Sequence, residues 1–315
     1  MRIIITGGFG FLGQRLGKYF HDRGYTVFLG SRTKRKKPLW LKNGDVFFTD
    51  WKNIYSSLSN IKSVNTLIHA AGMNAGDSEK NQEKANLING LLSNELLDAC
   101  VKNKINNFLY LSTAHVYANP LQGEISEDSN LKNNHPYAQS NALGEKQVFQ
   151  FKDSNKINSK VLRISNCFGA PVDMKTDCWH LLVNNICLQA FKSQKIILKS
   201  DGSPLRDFIS ISEFCRIVDF INKNCMEDKE YNVLNVGGET FSVNEITKLV
   251  KTIYEKKYKT TIEIKKNNSA QRSEIPKLNY KMNWTKKYNL IKKSNPYKEI
   301  EEILNFLEEN KDRYG

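Results

Sequence analysis

The stretch RIIITGGFGFLG, residues 2–13, decides the fold. RIIIT is a short apolar strand. Glycines at 7, 10 and 13 follow directly, and a helical pattern through Leu12, Leu16 and Tyr19 opens behind them and stops at Gly24. Glycine lets the backbone turn tightly and approach a pyrophosphate. The start of a helix offers unpaired N–H groups and the positive end of a dipole. A glycine pattern is weak alone and specific when it sits between a strand and a helix. Gly7, Phe9, Gly10, Phe11, Leu12 and Gly13 are therefore expected to lie against a dinucleotide.

Outward from this loop, strands alternate with helices. YTVFLG (25–30), DVFFTD (45–50), NTLIHAAG (65–72), NNFLYLST (106–113) and KVLRIS (160–165) read as strands, and YNVLNVGG (231–238) as a last one. Residues 79–102 carry Leu87, Leu91, Leu92, Leu96 and Leu97 at helical spacing, and a helix runs from Tyr137 to about Lys152. This alternation predicts an α/β fold, a Rossmann-type doubly wound parallel sheet. Residues 1–166 form the dinucleotide-binding domain, with 205–236 expected to rejoin it. Residues 167–204 and 237–315 form a smaller mixed α/β domain for the substrate. Within it, 176–192 reads as helix, and Ser242 with Glu245 as the capping box of a helix over 242–257.

The end of the second strand selects the nucleotide. A carboxylate there suits the ribose hydroxyls of NAD. The sequence is instead FLGSRTKRKK, 28–37. Ser31 can hydrogen-bond a 2'-phosphate and Arg32 can grip it with two bonds, with Lys34 or Arg35 adding field. NADP(H) is the expected cofactor, against the alternative of a solvated basic loop. Asp50, closing the third strand, is placed to accept from the adenine amino group or to be an ordinary surface carboxylate.

The net charge of +14 raises the question of a polyanionic partner. The lysine pairs are dispersed among carboxylates, and no basic stripe interleaved with aromatics appears, so nucleic acid is not expected. No run of 18 apolar residues is present and the opening apolar run is too short for a signal segment, so no membrane is expected either. Six cysteines (100, 167, 178, 187, 215, 225) contain no CxxC pair. They read as reduced thiols of a cytoplasmic protein, with no metal site.

Eight segments in order carry a resemblance: GGFGFLG (7–13), HAAG (69–72), NLINGLLSNELLDAC (86–100), LSTAHVY (111–117), PYAQSN (136–141), LRISNCFG (162–169), LRDFISISEF (205–214) and NVGG (235–238). Over residues 1 to about 285 the chain resembles the extended short-chain dehydrogenases/reductases, the nucleotide-sugar epimerases, dehydratases and reductases. The resemblance implies a nucleotide-diphosphate sugar as substrate. Thr113 would bond the sugar's carbonyl or carbinol oxygen, and Tyr137 would give and take the proton. Ala70, Ala71 and Gly72 would pass beneath the cofactor, with Asn86 nearby on its helix. Asn166 and Cys167 would flank nicotinamide and sugar. Arg206 would hold the diphosphate and Arg272 would be a second phosphate contact. It also implies a homodimer paired through helices at about 80–102 and 137–152. The spacing from Gly169 to His180 resembles that of the GDP-fucose synthase group, where a histidine serves as an acid near the sugar.

One departure bears on the chemistry. Where the family carries lysine four residues after the tyrosine, this chain has Asn141. Lysine holds the nicotinamide ribose and brings a positive charge to the phenol. Asparagine can still bond ribose hydroxyls but supplies no charge. Lys146 lies nine positions on, toward the opposite face of the helix. A neutral tyrosine is already protonated at pH 7 and can donate, so the loss weakens base catalysis more than acid catalysis. The expected activity is NADPH-dependent reduction of a nucleotide-linked keto sugar. An epimerase or dehydratase, or a nucleotide-binding protein without turnover, are the alternatives.

Overall fold

The computed structural model of the chain describes residues 1–152, 157–266 and 277–314. Two compact units are present: Met1–Asn119 with Asp128–Ile164 and Cys215–Asn235, and Pro120–Glu127 with Ser165–Phe214 and Val236–Gly315.

The first unit is built on β1 (Arg2–Thr6), β2 (Thr26–Ser31), β3 (Gly44–Phe48), β4 (Thr66–His69), β5 (Asn107–Thr113), β6 (Asn158–Ile164) and β7 (Val233–Val236). The sheet order is β3-β2-β1-β4-β5-β6-β7. Registers such as Ile3↔Val27, Ile3↔Thr66, Thr66↔Asn107 and Asn107↔Asn158 run in step, so these strands are parallel. The bonds Val161 N–H to Asn232 O and Ser165 N–H to Val236 O advance together and make β7 parallel too. Helices cover both faces of such a sheet, so its central strands are apolar without alternation. Ile3, Ile4 and Ile5 are all fully buried. The strand order reverses between β1 and β4, the position where such sheets open a crevice at their C-terminal edge.

The predicted 79–102 helix is not continuous. Ala75–Lys80 and Gln82–Ala85 are short helices, Asn86–Leu91 is a π-helical turn, and only Leu92–Lys102 is regular α-helix. The wider turn rotates the apolar row: Leu92, Leu96 and Leu97 are buried, while Leu87 and Leu91 are each 47% exposed.

The second unit holds a three-stranded sheet in which Leu205–Ser210 lies between Asn166–Phe168, parallel, and Glu239–Ser242, antiparallel. Lys195–Leu198 pairs with Glu263–Lys266, and Gly123–Ile125 with Leu278–Tyr280. Helices Leu182–Ser193, Val243–Tyr258 and Pro296–Glu309 share one apolar core that includes Ile186, Ile246, Val250, Ile303 and Leu307. Ser242 and Glu245 form the capping box of the second of these. The segment that returns to the first unit begins at Cys215 and not at 205, because Leu205–Ser210 completes the second unit's sheet. The helix expected over 176–192 begins at Leu182. Thr176 and Cys178 are buried from within the preceding loop.

Candidate active site

The glycine loop follows β1 at the reversal point. Gly7 has φ +66°, and a Cβ there would lie 2.6 Å from backbone atoms of Ala70 and Ala71, so this loop and the one after β4 touch. A Cβ on Gly13 would lie 2.3 Å from the Gly7 carbonyl oxygen. No side chain fits in either place. The Gly10 N–H donates to the Gly7 carbonyl at 2.9 Å and turns the chain into the Phe11–His21 helix, whose start has no side-chain cap. The first-turn N–H groups are left to face an anion. Phe9, Phe11 and Leu12 are half-buried beside this cradle, which fits a dinucleotide's pyrophosphate.

At the end of β2, Ser31 is buried and its hydroxyl oxygen accepts the Thr33 N–H at 3.3 Å, within its own turn. Arg32 and Lys34 are exposed. Arg35 bends back to the glycine loop, its guanidinium 5.6 Å from the centre of the Phe9 ring. Arg35 thus reaches the Phe9 side chain of the glycine loop, and the Ser31 oxygen also serves its own turn. Asp50 is half-buried, and one of its carboxylate oxygens accepts the Lys52 N–H at 3.0 Å.

His69 ends β4. It is fully buried, with Nδ1 2.7 Å from the Thr6 hydroxyl on β1. Burial pushes its pKa down from 6.5 to about 4, so the ring is neutral at physiological pH. Nε2 is buried and makes no hydrogen bond among the described residues. Ala70, Ala71 and Gly72 then carry the chain outward, half-buried to exposed.

The structure brings Thr113 and Tyr137 together. Thr113 ends β5 and is 5% exposed; its hydroxyl oxygen accepts the His115 N–H at 3.2 Å. Its hydroxyl lies beside the phenol of Tyr137, the second residue of the Pro136–Lys152 helix. Burial holds the phenol's pKa above its usual value, and the neighbouring Thr113 hydroxyl partly offsets this. His135 caps the helix, its Nδ1 accepting the Tyr137 N–H at 3.2 Å.

Asn141 does not reach outward as a lysine would. It is buried, and its amide nitrogen donates to the Tyr137 carbonyl at 2.7 Å, beside the Ser140 hydroxyl at 3.0 Å. One of its two N–H donors is held by the helix, and the second N–H and the amide oxygen remain. Lys146 is exposed.

Two features were missed from sequence. The buried asparagine of the π-helical turn is Asn89, while Asn86 is half-buried. Asn89 accepts the Met73 N–H at 2.7 Å and donates to the Ser140 hydroxyl at 2.9 Å, and its carbonyl accepts the Tyr110 hydroxyl at 2.6 Å. It joins the loop after β4 to the helix of Tyr137. NLING offers two asparagines, and only the π-turn decides which faces in. The second feature is a buried ion pair, Glu145 with Arg163, at 2.6 Å.

In the second unit, Asn166 donates its side-chain amide to the Asp207 carbonyl at 2.8 Å and is thus held by the sheet, and Cys167 is half-buried. Arg206 is exposed and makes no ion pair among the described residues; partial burial lowers its pKa. An unpaired guanidinium suits an anionic ligand. His180 is exposed on its loop, Nδ1 3.4 Å from the Asp177 carboxylate. Arg272 lies outside the described residues. Among the described residues, no cluster of His, Cys, Asp and Glu could hold a metal ion, and no helix is long and apolar enough to cross a membrane.

The model of the NAD dependent epimerase/dehydratase family matches residues 3–237. The chain belongs to that family. This extended short-chain dehydrogenase/reductase type was the one read from the eight segments. Among this epimerase/dehydratase family member's relatives is a putative UDP-glucose 4-epimerase of Methanocaldococcus jannaschii, 25% identical over 289 residues, 85% of this chain and 91% of the relative. The fold is that of the UDP-glucose 4-epimerase of Thermotoga maritima solved with UDP-glucose, with a TM-score of 0.81, 20% identity and coverage of 98% and 99% of the two chains. It is also that of the UDP-glucuronic acid 4-epimerase of Bacillus cereus solved with NAD, with a TM-score of 0.79, 18% identity and coverage of 98% and 97%.

Proposed function

We propose that the protein binds a nicotinamide dinucleotide and a nucleotide-diphosphate sugar and carries out epimerisation or dehydration through transient oxidation of a ring carbinol. The observation that carries this reading is the buried Thr113 at the C-terminal end of β5 with the Tyr137 phenol beside it, in the same unit as the glycine cradle. Relatives named as epimerases support the reaction class, and the neighbour solved with NAD supports the cofactor class. When bound, the nicotinamide supplies the hydride acceptor and donor. Thr113 holds the sugar oxygen, and Tyr137 takes its proton on oxidation and returns it on reduction. Arg206 binds the diphosphate, Arg272 is a second contact, and His180 borders the sugar.

A second reading, NADPH-dependent reduction of a keto sugar, is favoured by one observation. The phenol's pKa is raised, and the position that brings a cation in the family holds an asparagine turned onto its own helix. This phenol donates a proton more readily than it accepts one. For either reaction, NADP(H) is our proposed cofactor, on Arg32 and Arg35. A homodimer is proposed through the helices near 80–102 and 137–152, covering exposed Leu87 and Leu91. The six free thiols fit a cytoplasmic setting.

Product analysis tests the proposal. The protein is incubated with UDP-, dTDP-, ADP- and GDP-linked hexoses and either oxidised cofactor, and separately with their 4-keto forms and NADPH. An epimer or dehydrated product supports the first reading. NADPH consumption on keto sugars alone supports the second. Inertness throughout, with cofactor still bound, refutes both.

A further inference from the structure

We propose that the buried Glu145–Arg163 pair is a positioning clamp that sets the Thr113 hydroxyl against the Tyr137 hydroxyl. Glu145 is 1% exposed and Arg163 5%. The guanidinium makes a two-pronged contact, Nη2 to Oε2 at 2.6 Å and Nε to Oε1 at 3.0 Å. Glu145 stands on the Tyr137 helix, eight residues on, about 12 Å along the axis and ~80° around it. Arg163 stands on β6, directly opposite Ser112 of β5. Ser112 immediately precedes Thr113, and its hydroxyl donates to Glu145 Oε1 at 2.5 Å. Arg163 Nη1 donates to the Tyr117 hydroxyl at 2.9 Å, which in turn donates to Asn235 Oδ1 at 2.7 Å. A single carboxylate thus grips both the strand that ends in Thr113 and the strand beside it, from the helix that carries Tyr137.

Stability alone does not require this arrangement. An apolar pair of similar volume is commonly as stable as a buried ion pair or more so. A planar guanidinium fork meeting a carboxylate adds one allowed register, because a slide or rotation of the helix breaks both prongs. The catalytic consequence rests on the function proposed above, while the geometric one does not.

The test is a variant without the network and without orphaned polar groups: Ser112→Ala, Glu145→Leu and Arg163→Met combined. Crystal structures of wild type and variant give the distance between Thr113 Oγ1 and Tyr137 Oη, and single-turnover kinetics give the hydride-transfer rate. The clamp predicts a folded variant whose two hydroxyls have parted. Its rate should be lower by about 10- to 100-fold, with cofactor affinity and sugar KM little changed. A variant whose hydroxyl distance equals that of wild type overturns the proposal, whatever its rate. Should that variant fail to fold, Glu145→Asp, which keeps both charges and shortens the reach, decides by the same distance. A wild type inert on every sugar removes the functional reading, and the hydroxyl distance still decides the clamp.

Discussion

Acidification should loosen the seam between β1 and β4 through His69. The ring is buried against Thr6, and its pKa falls from 6.5 to about 4. The folded state therefore binds this proton less readily than the unfolded chain. The stabilising contribution is whole above pH 6.5 and is lost as pH falls from there toward 4. At ~1.4 kcal/mol per unit the full effect is about 3 kcal/mol, of which about 2 kcal/mol disappears between pH 7 and pH 5. A chain of two units need not unfold in one step, so a local probe is appropriate. Hydrogen exchange of the β1 and β4 amides, corrected for intrinsic rates, should show opening free energies falling by that amount. In His69→Gln, which cannot titrate, the fall should be absent. Parallel pH dependence in wild type and variant would refute the reasoning. The site is affected because Ala70 and Ala71, immediately after His69, contact Gly7 of the glycine loop.

Three further outcomes are expected. Gly13→Ala should weaken dinucleotide binding by more than about tenfold in a fluorescence titration, since its Cβ would lie 2.3 Å from the Gly7 oxygen. Arg35→Ala and Arg32→Ala should each lower NADPH affinity by roughly 10- to 100-fold and leave NADH affinity nearly unchanged; equal losses for both cofactors would contradict 2'-phosphate recognition. Asn141→Lys should move the pH profile of carbinol oxidation toward acid, because a cation near the phenol favours its ionised form. Keto-sugar reduction should change less.

The sheet was legible because parallel strands buried on both faces read as apolar runs, and because Gly7 and Gly13 have no substitute where backbones meet. Ser242 and Glu245 announce their helix for an equally local reason, a hydroxyl and a carboxylate three residues apart. What escaped depends on partners distant in sequence. Glu145 and Arg163 look like solvated charges until the helix and β6 are packed together, although a charge inside KVLRIS and a carboxylate two turns beyond Tyr137 were the available signs. The π-turn gave none, since its wider turn follows no 3.6-residue period and so moved the inward asparagine to Asn89. The strands Gly123–Ile125, Asn166–Phe168 and Leu278–Tyr280 are three residues each, too short to show alternation.

The central claim is that Tyr137 moves the proton, with Thr113 holding the sugar oxygen, while the nicotinamide moves the hydride. Single-turnover hydride transfer by wild type and Tyr137→Phe, on the nucleotide sugar that wild type turns over, tests it most directly. The substitution removes one hydroxyl and opens no cavity. The account predicts a rate lower by roughly 10²–10⁴-fold with cofactor affinity unchanged; a Tyr137→Phe rate equal to that of wild type would contradict it.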